Sequence, residues 1–149
     1  MRGAPSTLRC MVDRAILAEK IAAVRDAVAR IREVLPPEPD AFLKDRTVRE
    51  VVVLNLFVAL QECMSLAAHW LSDAGLDVPQ SYAQVFLGLG ERGVVPSDLA
   101  ARLAGAAGLR NLLAHRYGVL DWTRIHEIAS TRLDDLLLFC ELLARKASG

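Results

Sequence analysis

Between positions 110 and 117 the chain reads Arg-Asn-Leu-Leu-Ala-His-Arg-Tyr. Two guanidiniums, an amide, an imidazole and a phenol gather there, in a chain with only 3 histidines and 2 tyrosines. Arginine grips phosphate through a rigid fork of donors, and histidine is the side chain best suited to move a proton near neutral pH. Arg110 with His115 therefore suits cleavage of a phosphodiester. Each residue alone also has a structural explanation. A histidine near a helix C-terminus complements the dipole, Tyr117 could staple a helix end, and Arg110 could be a solvated charge. Residue types alone leave the two explanations of the set level.

Geometry sharpens the question. Each helical residue turns the chain by about 100°, so residues five apart point about 140° from each other. Arg110 and His115 cannot meet over one phosphate on one straight helix, whereas Asn111 and His115, four apart, share a face. Two arrangements would rescue the pair. The helix unwinds near His115, where Gly118 predicts its end, or Arg110 works with His115 of a symmetry mate. A twofold axis would also cluster Arg110 and Arg116 from both chains.

The elements that position these residues follow from apolar spacing. Val12, Ile16, Val24, Val28, Ile31 and Leu35 mark one face of a helix from Met11 to Leu35, which Pro36-Pro37 ends. Asp40 offers an N-cap for a long helix to about Ala74, with Gly75 as its stop. Between Val51 and Leu60 this helix is apolar nearly all round, so its own bundle, and a second copy of the chain, are expected to cover it. Ser81 caps a short helix through about Gly90. Ser97 caps a fourth that carries Arg110 to His115, and Gly118 breaks the chain after it. Asp121 caps the last, whose face is Trp122, Ile125, Ile128, Leu136, Phe139 and Leu143. No segment alternates at period two. The expected fold is all-α, an antiparallel bundle of four main helices plus a short extra one. Residues 11–147 form its single domain. Residues 1–10, with Gly3, Pro5 and Ser6, read as a flexible tail, and Met11 offers an alternative start.

At 149 residues the chain can bury a core without staples. Basic and acidic residues balance at 18 each, so no global field draws it to nucleic acid or anionic membrane. RNA binding would need a local patch. Cys10, Cys63 and Cys140 show no metal-ligand spacing and read as buried thiols in a reducing compartment. The N-terminus lacks the apolar core and cleavage site of a signal peptide, and the run from Val51 to Leu60 is too short to span a bilayer. A protein of the cytoplasm, without a membrane partner, is expected.

Other candidates for chemistry are weaker. His69 and His126 lie on separate helices without ligand-like neighbours, so no metal site is expected; His69 beside Trp70 reads as a core or rim residue. Asp45-Arg46 and Arg49-Glu50 could face phosphate or simply solvent. Asp134 and Asp135 are adjacent on a helix and point apart, which argues against a carboxylate pair. No Gly-rich phosphate loop follows a strand.

The segment from Arg110 to Tyr117 resembles the Arg-(four residues)-His-x-Tyr motif of HepT-like toxins in the HEPN superfamily. Phe42-Leu43-Lys44-Asp45-Arg46, Pro79-Gln80-Ser81-Tyr82, Leu109-Arg110-Asn111 and Asp121 fall in that family's order too, and the similarity runs from about Met11 to Leu143. The resemblance implies a helical homodimer with a metal-independent endoribonuclease site near its interface, needing no cofactor and acting on RNA. Arg110 and His115 would be the catalytic pair, with Asn111 and Arg116 in support. The family further implies a type VII-like toxin–antitoxin pair, whose nucleotidyltransferase antitoxin silences the toxin by adding AMP to the motif tyrosine, here Tyr117. A different role is a non-catalytic HEPN module that assists a partner nucleotidyltransferase. A dimeric helical scaffold explains the apolar helix but leaves the polar motif without a role.

Overall fold

The computed structural model describes the backbone of residues 3–148 and the side chains of residues 14–116 and 118–148. Among the described residues seven α-helices follow in order: α1 (Gly3–Val34), α2 (Pro39–Lys44), α3 (Arg46–Asp73), α4 (Tyr82–Glu91), α5 (Ser97–His115), α6 (Trp122–Thr131) and α7 (Leu133–Ser148). A 3₁₀ turn, Tyr117–Val119, joins α5 to α6. Among the described residues there is no strand, so the all-α expectation holds. The first helix begins earlier than expected: α1 runs through residues 3–10, read above as a tail, and Met1 and Arg2 lie outside the described residues. Pro5 falls in its first turn, where a missing N–H costs nothing.

α3 is the axis of the fold and packs against every other α-helix. Val52, Leu56, Ala59, Cys63, Met64, Leu66 and Ala67 along it are buried, and each fully buried Leu or Met contributes about 1.5–3 kcal/mol. α3 is long and apolar enough to cross a membrane by length and composition, with half of its most apolar stretch buried inside the protein. The extra apolarity is not all covered, since Leu54 remains 62% exposed.

The long helix expected from Asp40 to Ala74 is two helices. Asp45 leaves helical geometry (φ −109°, ψ 96°), and its carboxylate accepts the Val48 N–H at 3.1 Å, capping α3. Aspartate competes for backbone donors in this way, which ends one helix and starts another. Asp40 is not the cap; it lies in the first turn of α2, which opens on Pro39. The elbow lets α2 reach α6 while α3 enters the core, and it buries Phe42 beside Trp122 and His126, with ring centroids 6.2 and 5.4 Å away.

The expected last helix is also divided, at Arg132. The hydroxyls of Ser130 and Thr131 donate back to the carbonyls of His126 and Glu127, each at 2.7 Å. Such back-bonding bends helices. Asp121 caps α6 as expected, accepting the N–H groups of Thr123 and Arg124, and Ser81 caps α4 by accepting from Gln84. Ser97 does not cap α5; it is the first helical residue, after Pro96. Gly75 stops α3 as expected, with φ +78° and the Leu76 N–H donating to Leu71 O. α4 and α5 approach closely at Gly90, where an added Cβ would stand 2.6 Å from the Cβ of Ala100.

Candidate active site

α5 is fixed along its inner face by buried Leu99, Leu103, Ala107 and Leu113. Near its start, Arg102 donates to both oxygens of Asp135 on α7 at 3.0 and 3.2 Å and to Asp98 at 3.3 Å. The Arg102 hydrogen bond also holds the Asp98 carboxyl below its ordinary range. The polar motif lies at the other end of α5, where three elements meet around one side chain.

That side chain is Arg110, which is half-buried. Its Nε donates to Oε1 of Gln61 on α3 at 2.8 Å, and its Nη1 donates to Oδ1 of Asn111 at 3.0 Å. The guanidinium carbon stands 5.6 Å from the ring centres of both Phe57 on α3 and Tyr82 at the start of α4, within the range of cation–π attraction. Two of its five N–H donors are thus occupied, and Nη2 has no partner among the described residues. Asn111, His115 and Arg116 are exposed.

α5 remains helical through His115, and Arg116 is its C-cap (φ −133°), its N–H donating to Leu112 O at 2.8 Å. The helix does end near His115, but only after that residue, so its end does not turn His115 toward Arg110. Within one chain Arg110 and His115 leave the helix about 140° apart, while Asn111 and His115 share a face. Gly118 does not end the helix; the stop comes three residues earlier, and Gly118 sits in the 3₁₀ turn without a left-handed φ. Tyr117 opens that turn. Its side chain, the expected AMP acceptor, lies outside the described residues.

The remaining candidates take structural roles. Arg49 donates to the Leu43 carbonyl and lies 5.3 Å from the centre of the Trp122 ring, bracing the elbow. Arg46 pairs with Glu50 at 2.7 Å. His126 is buried, with Nε2 2.8 Å from the Pro36 carbonyl oxygen. His69 sits at the rim of an apolar cleft of about 420 Å³ with Leu17, Leu66 and Trp70. Asp134 and Asp135 do point apart, to Arg32 and Arg102. The buried free thiols of Cys63 and Cys140 face each other across α3 and α7, close enough for a thiol–thiol hydrogen bond to shift both. That bond and then burial push the Cys63 thiol up, while the same bond holds the Cys140 thiol down.

Sequence reasoning missed Gln61, Phe57 and Tyr82. Only the fold brings the first two, about fifty residues away, to Arg110. Tyr82 had two signals, being one of 2 tyrosines in the chain and closing the Pro79-Gln80-Ser81-Tyr82 segment of the family's order.

Residues 24–143 match the family described as ribonuclease HepT-like. The chain is 27% identical over 128 residues to the mRNA nuclease HepT of Shewanella oneidensis, covering 86% of this chain and 96% of that protein. Among solved structures, the tri-AMPylated Shewanella oneidensis HEPN toxin in complex with its MNT antitoxin superposes with a TM-score of 0.80 at 27% identity. That match covers 87% of this chain and 97% of the other. A variant of the toxin–antitoxin MntA–HpeT gives a TM-score of 0.80 at 26% identity, covering 87% and 98%. With a family match over most of its length and the same helical fold, the chain belongs to the HepT-like ribonuclease family.

Proposed function

We propose that this chain is the toxin of a toxin–antitoxin pair: a homodimeric, metal-independent endoribonuclease of the cytoplasm, silenced by transfer of AMP to Tyr117. The observation that carries the nuclease assignment is Arg110, held half-buried in a chain of a ribonuclease family, its Nη2 without a partner among the described residues. His115 moves the proton of the RNA 2′-hydroxyl or of the leaving oxygen. Arg110 clamps the phosphate and stabilises the charge that develops on it, and Arg116 adds positive charge at the rim. With the 2′-hydroxyl as an internal nucleophile, no metal is needed to generate one.

The dimer reading rests on two features. Arg110 and His115 diverge within one chain, so a twofold mate is the remaining way to bring the pair to one phosphate. On α3 the stripe that carries Gln61 and Phe57 continues to exposed Leu54, and Val119 beside the motif is 61% exposed, an apolar margin that a second copy would cover. Silencing by a nucleotidyltransferase antitoxin is supported by the AMPylated, antitoxin-bound Shewanella relative. AMP on Tyr117 would set a bulky anion two residues from His115, repelling RNA phosphate.

The test is incubation of the purified, AMP-free protein with total cellular RNA in excess EDTA, beside His115→Ala. Cleavage by wild type alone supports the assignment. No cleavage by either, from a folded dimer, overturns it in favour of a binding module. DNA of the same sequence, lacking the 2′-hydroxyl, is expected to resist, and its cleavage at a similar rate would sink the mechanism.

A further inference from the structure

We infer that Gln61 and Tyr82 are positioning residues of this site: from α3 and α4 they hold Arg110 with its charge intact and an open edge presented to phosphate. The inference rests on the nuclease reading above and extends it to two helices outside the motif.

The company that Arg110 keeps sets it apart. Arg32, Arg46, Arg102 and Arg124 each pair with a carboxylate, which fixes the side chain but neutralises it. Among the described residues Arg110 is fixed by neutral groups alone: the amides of Gln61 and Asn111 and the faces of Phe57 and Tyr82. Arg49 is also held by neutral groups, the Leu43 carbonyl and the Trp122 ring, but these belong to the α2–α3 elbow and to α6 rather than to the motif helix.

A guanidinium has donors and no acceptor, so each amide must turn its oxygen toward Arg110. The Asn111 Nδ2 group is then left as a donor directed elsewhere than Arg110. An arginine free in solvent has many rotamers to lose when it binds phosphate. Here two helices restrict it beforehand, so its donors await the developing charge instead of searching for it.

Four variants test this in the full-length dimer, with His115→Ala as the reference for lost chemistry. Gln61→Met removes the acceptor at similar size, and Tyr82→Leu removes the ring; each is expected to lower kcat/KM on RNA about 10- to 100-fold, mainly in kcat. Tyr82→Phe, which keeps the ring, should recover most of the loss seen in Tyr82→Leu. Gln61→Glu is the decisive case. It tethers Arg110 with a stronger bond, so the melting midpoint should not fall, yet it cancels the charge and should cost at least about tenfold in rate. A purely structural Gln61 predicts no such split between stability and rate.

If Gln61→Glu and Tyr82→Leu cleave at the wild-type rate while His115→Ala does not, positioning is overturned and the nuclease reading stands. If wild type cleaves nothing, the clamp is read by anisotropy with a fluorescent, uncleavable 2′-O-methyl RNA of mixed sequence. Weaker binding by Gln61→Glu then supports the clamp alone, and equal binding overturns it.

Discussion

Arg110 and His115 belong to one unbroken helix, five residues apart, and so face different directions from the same chain. A composite site across a twofold axis makes a quantitative prediction. Arg110→Ala and His115→Ala should each lose about 10²–10⁴-fold in cleavage. Mixed in equal amounts and allowed to exchange subunits, they should recover about one quarter of wild-type activity, because half the dimers hold one site with both residues intact. If the pair acts within one chain, every site in the mixture carries a lesion and no activity returns. The measurement is RNA cleavage by the exchanged mixture; differently tagged heterodimers purified from it should reach about one half.

Silencing at Tyr117 predicts a separation of cleavage from regulation. With the partner nucleotidyltransferase and ATP, the wild-type chain should gain the mass of AMP and stop cutting RNA. Tyr117→Phe should keep cutting and gain no mass. Neutralisation of Tyr117→Phe to the wild-type extent would leave occlusion by the partner as the mechanism.

Gly90 predicts a stability loss with an unusual sign. In an open helix, Gly→Ala stabilises by up to about 1 kcal/mol. Here the new Cβ meets the Cβ of Ala100 at 2.6 Å, and the overlap can be relieved only by parting α4 from α5. Gly90→Ala should therefore destabilise by about 1–3 kcal/mol in chemical denaturation, and Gly90→Ala with Ala100→Gly should recover part of it. At Gly108, where nothing lies within 4 Å of an added Cβ, the same change should be neutral or stabilising.

Asp45 is expected to matter through its side chain at the α2–α3 elbow. Asp45→Ala removes the acceptor for Val48 N–H and should cost about 1 kcal/mol, whereas Asp45→Asn, which keeps an oxygen there, should cost less. Equal losses in the two variants, measured by urea unfolding, would mean that the cap is not what stabilises the elbow.

Much of the fold was legible because it rests on local chemistry. Apolar spacing located the helices, the Ser81 and Asp121 caps are read by their own nearby amides, and Gly75 adopts the left-handed φ that glycine alone takes easily. The two helix breaks were hidden for a physical reason. Asp45 and the Ser130–Thr131 pair sit inside continuous apolar periodicity, and only their side-chain hydrogen bonds to backbone divert the chain. At the site, the motif supplied Arg110, Asn111, His115, Arg116 and Tyr117 as neighbours in sequence. What holds Arg110 was not legible, since a glutamine and two aromatic rings acquire that function only when α3, α4 and α5 pack.

The paired thiols of Cys63 and Cys140 have a practical consequence. Both are sealed in the seam between α3 and α7, so a thiol reagent can reach them only when that seam parts. In a Cys10→Ser chain, the labelling rate becomes a stopwatch for the opening of α3. Because Gln61 lies two residues before Cys63 on the same helix, that clock reports how long the scaffold behind Arg110 stays shut.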